Sequence, residues 1–374
     1  MYIFLPDTFN LFRKIWSHIR PSGYGSFTIL FCGLVYCFPL MSMGDAHTWI
    51  FTTHLTGAFN QRKAVAEQFG GHVEIIEMPQ VGMWPTAENW LQQRRLELQS
   101  GRLSWPDFII HSEDHYQELD FLLEIKDRSP KKTKVIYLET PKRRLSEIDF
   151  IVHGQHLPFD PLLSDLRPVG VATAVTPERV QLAASALKQK FQWLPKPIVA
   201  VNIGGDSHQN KYRPEFVVDL AKRVRSAMDL EFGVGQGSIV LTTSRRTPLG
   251  AAGLFVRESP GRAIYFDQWK GDSSSETFYL ALLGIADVVI VTGDSLSMMS
   301  DALALGKPLY IHAPIFSTLP EHQRLQEELY VRGWARPLTG SSLAIWSYQP
   351  HRVAEQIARA VQQKFNCEVV LATK

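Results

Sequence analysis

The residues best suited to ligand chemistry lie between Ala286 and Pro308. An apolar run there, of the kind that forms a buried strand, leads into Gly293, Asp294 and Ser295. A helix follows with Asp294 or Ser295 as its cap, and its first backbone N–H groups and partial positive charge suit an anion. Gly293 lets a ligand approach the backbone closely. The segment predicts a diphosphate site, and the alternative is a capped helix without a ligand.

The same helix carries two more polar side chains, Ser297 and Asp301. Asp294, Ser297 and Asp301 follow one another at spacings of about one helical turn, so they share one face. A carboxylate one to two turns inside the helix can accept hydrogen bonds from both hydroxyls of a ribose. We therefore expect Asp301 to bind the ribose of a nucleotide whose phosphates lie at the start of the helix.

A second polar group, formed by Ser244, Arg245 and Arg246, directly follows a buried strand. The guanidinium group presents a fork of donors that matches paired phosphate oxygens, and it keeps its charge. We predict that this loop binds the same diphosphate, with Arg245 favoured over Arg246. The alternative is a solvated loop in which one arginine pairs with an acidic side chain.

Two further loops follow the opening strands of the two halves of the chain. Gly204 and Gly205 allow close approach of a ligand, or form an ordinary tight turn. His54 precedes the loop Gly57–Gln61. A histidine facing a cleft suits a general base because its pKa lies near neutrality. A hydrogen-bonded surface histidine is the alternative to this catalytic role.

Motifs for metal and dinucleotide chemistry are missing from the sequence. His111 and His115 have a spacing that suits a metal on a helix, but they lie in a predicted loop, so we predict no metal site and no cofactor. The chain has no Asp-x-Asp motif, no P-loop and no Gly-x-Gly-x-x-Gly after its first strand. These absences disfavour metal-dependent sugar transfer, nucleotidases and dehydrogenases. The net charge of +2 does not indicate nucleic-acid binding.

Short apolar runs alternate with helical patterns, and the loops described above begin where such runs end. Continuous Val/Ile/Leu runs are typical of strands covered on both faces, and strand–helix–strand repeats predict parallel sheets. Ligands bind at the carboxyl ends of such strands. The predicted strands are His47–Thr53, His72–Met78, Pro106–His111, Lys134–Glu139, Asp149–His153, Pro197–Ile203, Ser238–Thr243, Ala263–Asp267, Asp287–Thr292 and Pro308–His312. The clearest predicted helices are Gln61–Phe69, Pro214–Met228 and Ser297–Leu305.

The 374 residues are too many for one ordinary domain. We predict an α/β fold of two doubly wound Rossmann-like domains that face a cleft. The first domain covers residues 45–176, a linker helix covers 177–196, and the second domain with a terminal helix covers 197–374.

Residues 1–44 fit neither domain. Basic residues precede an apolar run over 27–41 that is short for a membrane span, and small residues follow it. Three alternatives stay open: a signal peptide or anchor, a membrane-docking tail, and a true start at Met41 or Met43. The three cysteines have neither disulfide nor zinc spacing. We expect a cytoplasmic protein, with attachment to the inner membrane through residues 1–44 and export as the alternatives.

Several segments resemble known families. Residues 286–308 resemble the donor-binding helix of glycosyltransferase-B enzymes such as the peptidoglycan N-acetylglucosaminyltransferase. The chain is still more similar to the mitochondrial fission family named for elongated mitochondria, which is found in plants and widely in bacteria. That resemblance rests on residues 57–61, 199–205, 239–248 and 291–302, in the family's order.

The resemblance implies a glycosyltransferase-B-like fold whose first domain faces an acceptor and whose second domain binds a nucleotide sugar. It places an acceptor-side loop at Gly57, Asn60 and Gln61. The sequence departs from the family in three loops of the first domain, at residues 52–54, 111–115 and 139–144. The identity of the acceptor is therefore open.

Two functions follow from these expectations. The first is a metal-independent glycosyltransferase, or a sugar epimerase, that binds a nucleoside-diphosphate sugar in the cleft. The second is a non-catalytic recruiting or regulatory protein that kept the fold. The intact donor segments favour the first hypothesis, and the altered loops of the first domain favour the second.

Overall fold

The computed structural model describes residues 46–52, 56–77, 85–112, 116–139, 141, 143–158, 164–206, 211, 213–314 and 318–372. The segment 1–44, with its three alternatives, lies outside the described residues. His54 and His115 also lie outside them. Among the described residues, no helix combines the length and the apolar character needed to cross a membrane.

Five parallel strands form the first sheet, in the order β2-β1-β3-β4-β5. The strands are β1 (His47–Phe51), β2 (His72–Ile76), β3 (Phe108–His111), β4 (Lys134–Leu138) and β5 (Phe150–Val152). The helices between them are α1 (Thr56–Phe69), α2 (Ala87–Gln99) and α3 (Tyr116–Arg128). Trp49 and Ile50 point to opposite faces of β1 and both are fully buried, because helices cover each face of the sheet.

Six parallel strands form the second sheet, in the order β11-β10-β9-β6-β7-β8. The strands are β6 (Ile198–Ile203), β7 (Ser238–Thr243), β8 (Ala263–Asp267), β9 (Val288–Thr292), β10 (Leu309–His312) and β11 (Ala335–Pro337). The helices are α4 (Pro177–Ala186), α5 (Lys188–Phe191), α6 (Pro214–Phe232), α7 (Ala251–Arg257), α8 (Ser273–Ile285), α9 (Leu296–Leu305), α10 (Pro320–Val331) and α11 (Val353–Ala372).

The prediction of two doubly wound α/β domains is confirmed. In each sheet the strand order reverses at one point, which is where ligands bind in open α/β sheets. This switch point lies between β1 and β3 in the first sheet and between β6 and β9 in the second. All ten predicted strands are present. The prediction missed β11, whose three residues, Ala-Arg-Pro, carry no strand pattern.

Two helices belong to other layers than the sequence suggested. The terminal helix α11 was predicted to complete the second domain, but Ile357 and Val361 are buried against the first sheet, in the same apolar cluster as Ile50. The predicted linker helix is part of the second domain, because Val180 and Ala183 of α4 are buried in that domain's core. The apolar face of each helix decides its place, and the sequence does not say which sheet that face covers.

Candidate site at the switch point of the second sheet

The loops that follow β6 and β9 are bonded to each other at the switch point. The backbone N–H of Gly204 donates to Thr292 Oγ1 at 2.7 Å, and that of Gly205 donates to Asp294 Oδ2 at 2.8 Å. Asp294 is buried. The two predicted ligand loops are therefore brought together, 89 residues apart in the chain between Gly205 and Asp294.

The glycines of these loops are required by protein contacts. A Cβ on Gly204 would lie 2.1 Å from Asp294 Oδ2, and one on Gly205 would lie 2.0 Å from the carbonyl oxygen of Arg246. A Cβ on Gly293 would lie 2.5 Å from Gln326 Nε2. From the sequence, we predicted that these glycines allow a ligand to approach the backbone. In the structure, protein atoms fill the space that their side chains would need.

Arg246 joins three loops through its guanidinium group. Its Nη1 donates to the carbonyl oxygens of Gly205 at 3.1 Å and Asp206 at 2.8 Å. Its Nη2 lies 3.1 Å from Asp294 Oδ2. The carboxylate of Asp294 thus binds the guanidinium group that was predicted to bind a diphosphate. The alternative interpretation, an arginine paired with an acid, is correct for Arg246.

The rest of that loop divides into a structural part and an exposed part. Ser244 Oγ accepts a hydrogen bond from the backbone N–H of Arg246 at 3.2 Å and lies 3.1 Å from Thr247 Oγ1. Ser244 therefore shapes the turn. Arg245, the residue before Arg246 in the chain, is exposed.

The first turn of α9 begins at this edge. Ser295 is the cap, and its side chain accepts a hydrogen bond from the N–H of Met298 at 3.3 Å, so Asp294 is not the cap. The half-buried Ser297 faces the first domain, because a Cβ on Gly57 would lie 3.8 Å from Ser297 Oγ. Gly57 is in the first turn of α1. The positive ends of two helices, one from each domain, therefore meet here.

Asp301 lies deeper in α9 and is 8% exposed. Its Oδ1 accepts a hydrogen bond from the Thr173 hydroxyl, and its Oδ2 accepts one from the Tyr279 hydroxyl at 2.6 Å. Burial raises the pKa of Asp301 to about 6, and these two hydrogen bonds act in the opposite direction. A ribose would have to share or displace both donors.

The segment that connects the domains covers this part of α9. The backbone N–H of Val171 donates to Ser300 Oγ at 2.9 Å, next to the contact between Thr173 and Asp301. A Cβ on Gly170 would lie 2.8 Å from Ser300 Oγ. The connecting segment therefore covers α9 at Ser300 and Asp301, beyond its first turn.

Buried polar atoms gather at the carboxyl ends of the strands around this point. Of the buried side chains in the described part of the chain that have a nitrogen or oxygen with no hydrogen-bond partner, five lie around this point. They are Asn202 at the end of β6, Asp294 after β9, His312 at the end of β10, His322 in α10 and His156 after β5. Such atoms usually bind water or a ligand. Sequence reasoning missed the three histidines and Asn202, because each stands alone in its own segment.

His156 and His322 connect the two domains. Arg324 Nε of α10 donates to the carbonyl oxygen of His156 at 2.6 Å. Burial, together with the positive charges of a protonated His322 and of Arg324, lowers the pKa of His156 to about 4. Burial also lowers the pKa of His322, while Glu321 and Asp294 raise it. Both imidazoles are therefore neutral at pH 7 and can accept or donate one proton each.

A small cavity in the first domain lies next to His156. Its walls include Gln61, Glu139, Gly154 and His156. Glu139 has a φ of 101°, a conformation that costs a non-glycine residue energy and that is often found at functional sites. Of the predicted acceptor-side residues, Gln61 lines the cavity and Asn60 is exposed.

The switch point of the first sheet is filled by Arg62 of α1, which is fully buried. Its Nη1 donates to the carbonyl oxygen of Phe51 at 3.0 Å, and its Nε donates to Ser112 Oγ at 2.9 Å. Its Nη2 donates to the carbonyl oxygen of Ser112. One guanidinium group thus joins the ends of β1 and β3. No sequence pattern could indicate this role, because the hydrogen-bond partners of Arg62 are mainly backbone atoms.

Comparison with known proteins places the chain in one family. A family model described as mitochondrial fission ELM1 matches residues 56–365. The mitochondrial fission protein ELM1 of Arabidopsis thaliana is 26% identical over 256 residues, which cover 62% of this chain and 57% of that protein. An uncharacterised protein of Rickettsia prowazekii is 31% identical over 183 residues, 48% of this chain and 50% of that protein. The chain thus spans about half the length of these relatives.

Solved structures with a similar fold include MurG of Acinetobacter baumannii, with 12% identity, a TM-score of 0.40, and coverage of 87% of this chain and 94% of that chain. A family 9 glycosyl transferase of Veillonella parvula has 11% identity and a TM-score of 0.41, and the match covers 87% of this chain and 98% of that chain. A UDP-N-acetylglucosamine 2-epimerase has 11% identity and a TM-score of 0.44, and the match covers 85% of this chain and 94% of that chain.

Proposed function

Since the chain belongs to the mitochondrial fission ELM1 family, we propose that it is a glycosyltransferase-like member that binds a nucleoside-diphosphate sugar at the switch point of its second sheet. The main support is the group of buried polar atoms without a hydrogen-bond partner around that point, among the described residues. Five such side chains at the ends of four strands and one helix are costly unless water or a ligand binds them.

The diphosphate lies between the first turns of α9 and α1, near Ser297 and Gly57. Helix N-termini bind anions through unpaired backbone N–H groups and the helix dipole. The exposed Arg245 adds a positive charge at the rim. Arg246 is already paired with Asp294, so it acts by holding the loops. Helix ends and arginine stabilise the leaving diphosphate without a metal ion.

The sugar and an acceptor lie toward His322 and His156. Both side chains are neutral at pH 7, so either one can accept a proton from a sugar or acceptor hydroxyl. The cavity beside Gln61 and Glu139 is the proposed acceptor side. The predicted catalytic role of His54 stays a prediction. Epimerisation of the bound sugar uses the same groups and is a variant of the proposal.

A thermal-shift screen of nucleoside diphosphates and their sugar conjugates tests the proposal. Ligand at about 100 times its dissociation constant stabilises the folded state by about 2.7 kcal/mol and raises the Tm. The screen is repeated with His322→Asn, which removes an imidazole from the cleft. We expect at least one conjugate to stabilise the parent and to stabilise the variant less. A parent Tm that no nucleotide shifts would contradict the proposal.

A non-catalytic recruiting protein is the second candidate, and one observation favours it. Arg62 fills the switch point of the first sheet, so that domain has no ligand site at this position. A protein that binds a nucleotide sugar but neither hydrolyses nor transfers the sugar would fit this second function. Release of free nucleoside diphosphate, measured with and without cell-wall or glycan acceptors, separates the two.

A further inference from the structure

A group of possible metal ligands lies at the opposite edge of the first sheet, where β1 and β2 begin. His47, the first residue of β1, pairs in register with His72, the first residue of β2, and Trp49 pairs with Glu74. His72 and Glu74 are two residues apart on one strand, so their side chains share a face of the sheet. Strand pairing thus brings two imidazoles and a carboxylate together.

The three ligand atoms are close enough to bind one ion. His72 Nε2 lies 2.8 Å and His47 Nε2 lies 3.8 Å from Glu74 Oε2. All three atoms lie within 4.8 Å of one another. Ligands at about 2.0–2.1 Å from a tetrahedral zinc ion are about 3.3 Å apart, so binding needs shifts of only a few tenths of an ångström up to about 1.5 Å.

His47 is oriented as a metal ligand would be. It is 6% exposed, and its Nδ1 lies 2.7 Å from Ser104 Oγ. Its Nε2 is buried and has no hydrogen-bond partner among the described residues. When Nδ1–H donates to Ser104, the lone pair of Nε2 faces Glu74. A second hydrogen bond of this kind fixes the tautomer and orientation of histidines that bind metals.

The surrounding charges tolerate a cation. Lys131, whose positive charge acts on His47, has its Nζ 3.1 Å from Asp107 Oδ1, so its charge is paired. Asp107 Oδ2 also accepts a hydrogen bond from the backbone N–H of His47 at 2.8 Å. His72 is two-thirds exposed and can turn to complete the site.

We propose that His47, His72 and Glu74 bind a divalent transition metal ion, with Zn²⁺ as the best match. Two histidines and one glutamate are a known zinc ligand set, with a fourth position for water or another donor. The ion joins the first two strands of the chain at the edge opposite the candidate nucleotide site, and the proposal is independent of that site. This proposal departs from the prediction of no metal site, which stays a prediction. The distance between His47 and His72 in the sequence could not have indicated such a site.

Cobalt absorption spectroscopy with zinc competition tests the site on the full chain. The parent is expected to bind one Co²⁺ with the visible spectrum of a four- or five-coordinate ion, and Zn²⁺ should displace it. His72→Ala and Glu74→Gln each remove one ligand and should weaken binding by on the order of 100-fold. His72 is exposed and Glu74 is partly exposed at the start of an edge strand, so folding should be preserved.

Glu77→Gln is the matched control, since Glu77 is exposed one residue beyond the end of β2. It should bind Co²⁺ as the parent does. Equal affinities of the parent, His72→Ala and Glu74→Gln would overturn the proposal. A sulfur-to-cobalt charge-transfer band would also overturn it, because it would assign the ion to cysteines.

Discussion

Each sheet has an arginine at its switch point, but the two guanidinium groups have different surroundings. Arg62 is fully buried and donates to backbone carbonyl oxygens at the ends of β1 and β3. Arg246 is one-third exposed and pairs with Asp294, whose Oδ1 still has no hydrogen-bond partner among the described residues. The first switch point is closed by protein, whereas the second has buried polar atoms that lack a hydrogen-bond partner among the described residues.

This difference explains why the two domains have separate roles in the proposal. A guanidinium group inside a sheet edge stabilises the loops but leaves no room for a nucleotide. Arg246 lies in a surface loop, where its guanidinium group holds the loops after β6 and β9 together. It leaves the first turn of α9 open to a ligand in the proposal. Residues of the first domain then contribute only where they reach the cleft, at Gly57, Gln61 and His156.

The largest effect is expected at the closed switch point. Arg62→Leu removes all hydrogen bonds from the guanidinium group to Phe51 and Ser112 and leaves their carbonyl oxygens buried, so it should lower the free energy of unfolding by about 3–5 kcal/mol. Urea unfolding measures the loss. Arg257→Ala, at an exposed arginine at the end of α7, should change stability by less than about 0.5 kcal/mol. Similar losses in both variants would refute the closed switch point.

A pH-dependent effect of about 3 kcal/mol is expected for Asp301. Burial raises its pKa in the folded protein from the usual 3.8 to about 6. The protonated form is thus favoured by folding, so this contribution is fully present below about pH 4 and is lost as pH rises through about 6. The stability of the parent relative to Asp301→Asn should fall over that window. A difference that stays constant between pH 4 and 7 would mean that Asp301 titrates normally.

A smaller loss of stability is expected at the second switch point. Arg246→Ala removes hydrogen bonds to Gly205 and Asp206 and leaves Asp294 without its charge partner. Because the arginine is one-third exposed, we expect a loss of about 1.5–3 kcal/mol in the free energy of unfolding, less than for Arg62. Asp294→Asn with Arg246→Ala should cost less than the sum of the two single changes. Additive losses would show that the pair is not coupled.

The smallest effect on stability, with a clear effect on binding, is expected at Gly57. A Cβ there makes only an ordinary contact of 3.8 Å with Ser297, and alanine favours the helix by up to about 1 kcal/mol. Gly57→Ala should therefore fold at least as well as the parent. It should weaken nucleotide binding, since the methyl group enters the space between the two helix ends. Binding equal to that of the parent would exclude a ligand between α1 and α9.

The sequence was most informative where one segment carries its own signal. The boundaries of α9 follow from Ser295 at its start and from Gly306, with a φ of 65°, at its end. The buried strands follow from continuous apolar runs. The predictions were weaker where two distant segments meet. Arg246 and Asp294 are 48 residues apart, and an arginine fork fits a carboxylate as well as a phosphate.

The partners of Asp301 could not be predicted from the sequence either. A polar residue on the inner face of a helix needs a partner, and the sequence suggested a ribose. Its partners are Thr173 and Tyr279, and Thr173 is 128 residues away in the segment between the domains. Packing of that segment on α9 depends on the relative placement of both sheets, which no local pattern encodes.

The most direct test of a diphosphate site at the second switch point is a calorimetric titration that compares two arginines. A nucleoside diphosphate and the same nucleoside without phosphate are each titrated into the parent, Arg245→Ala and Arg257→Ala. We predict that Arg245→Ala weakens binding of the diphosphate by about 1.5–3 kcal/mol and leaves binding of the nucleoside and the stability of the fold unchanged. Arg257→Ala should behave as the parent with both ligands. Equal diphosphate affinity in the parent and Arg245→Ala would contradict the account.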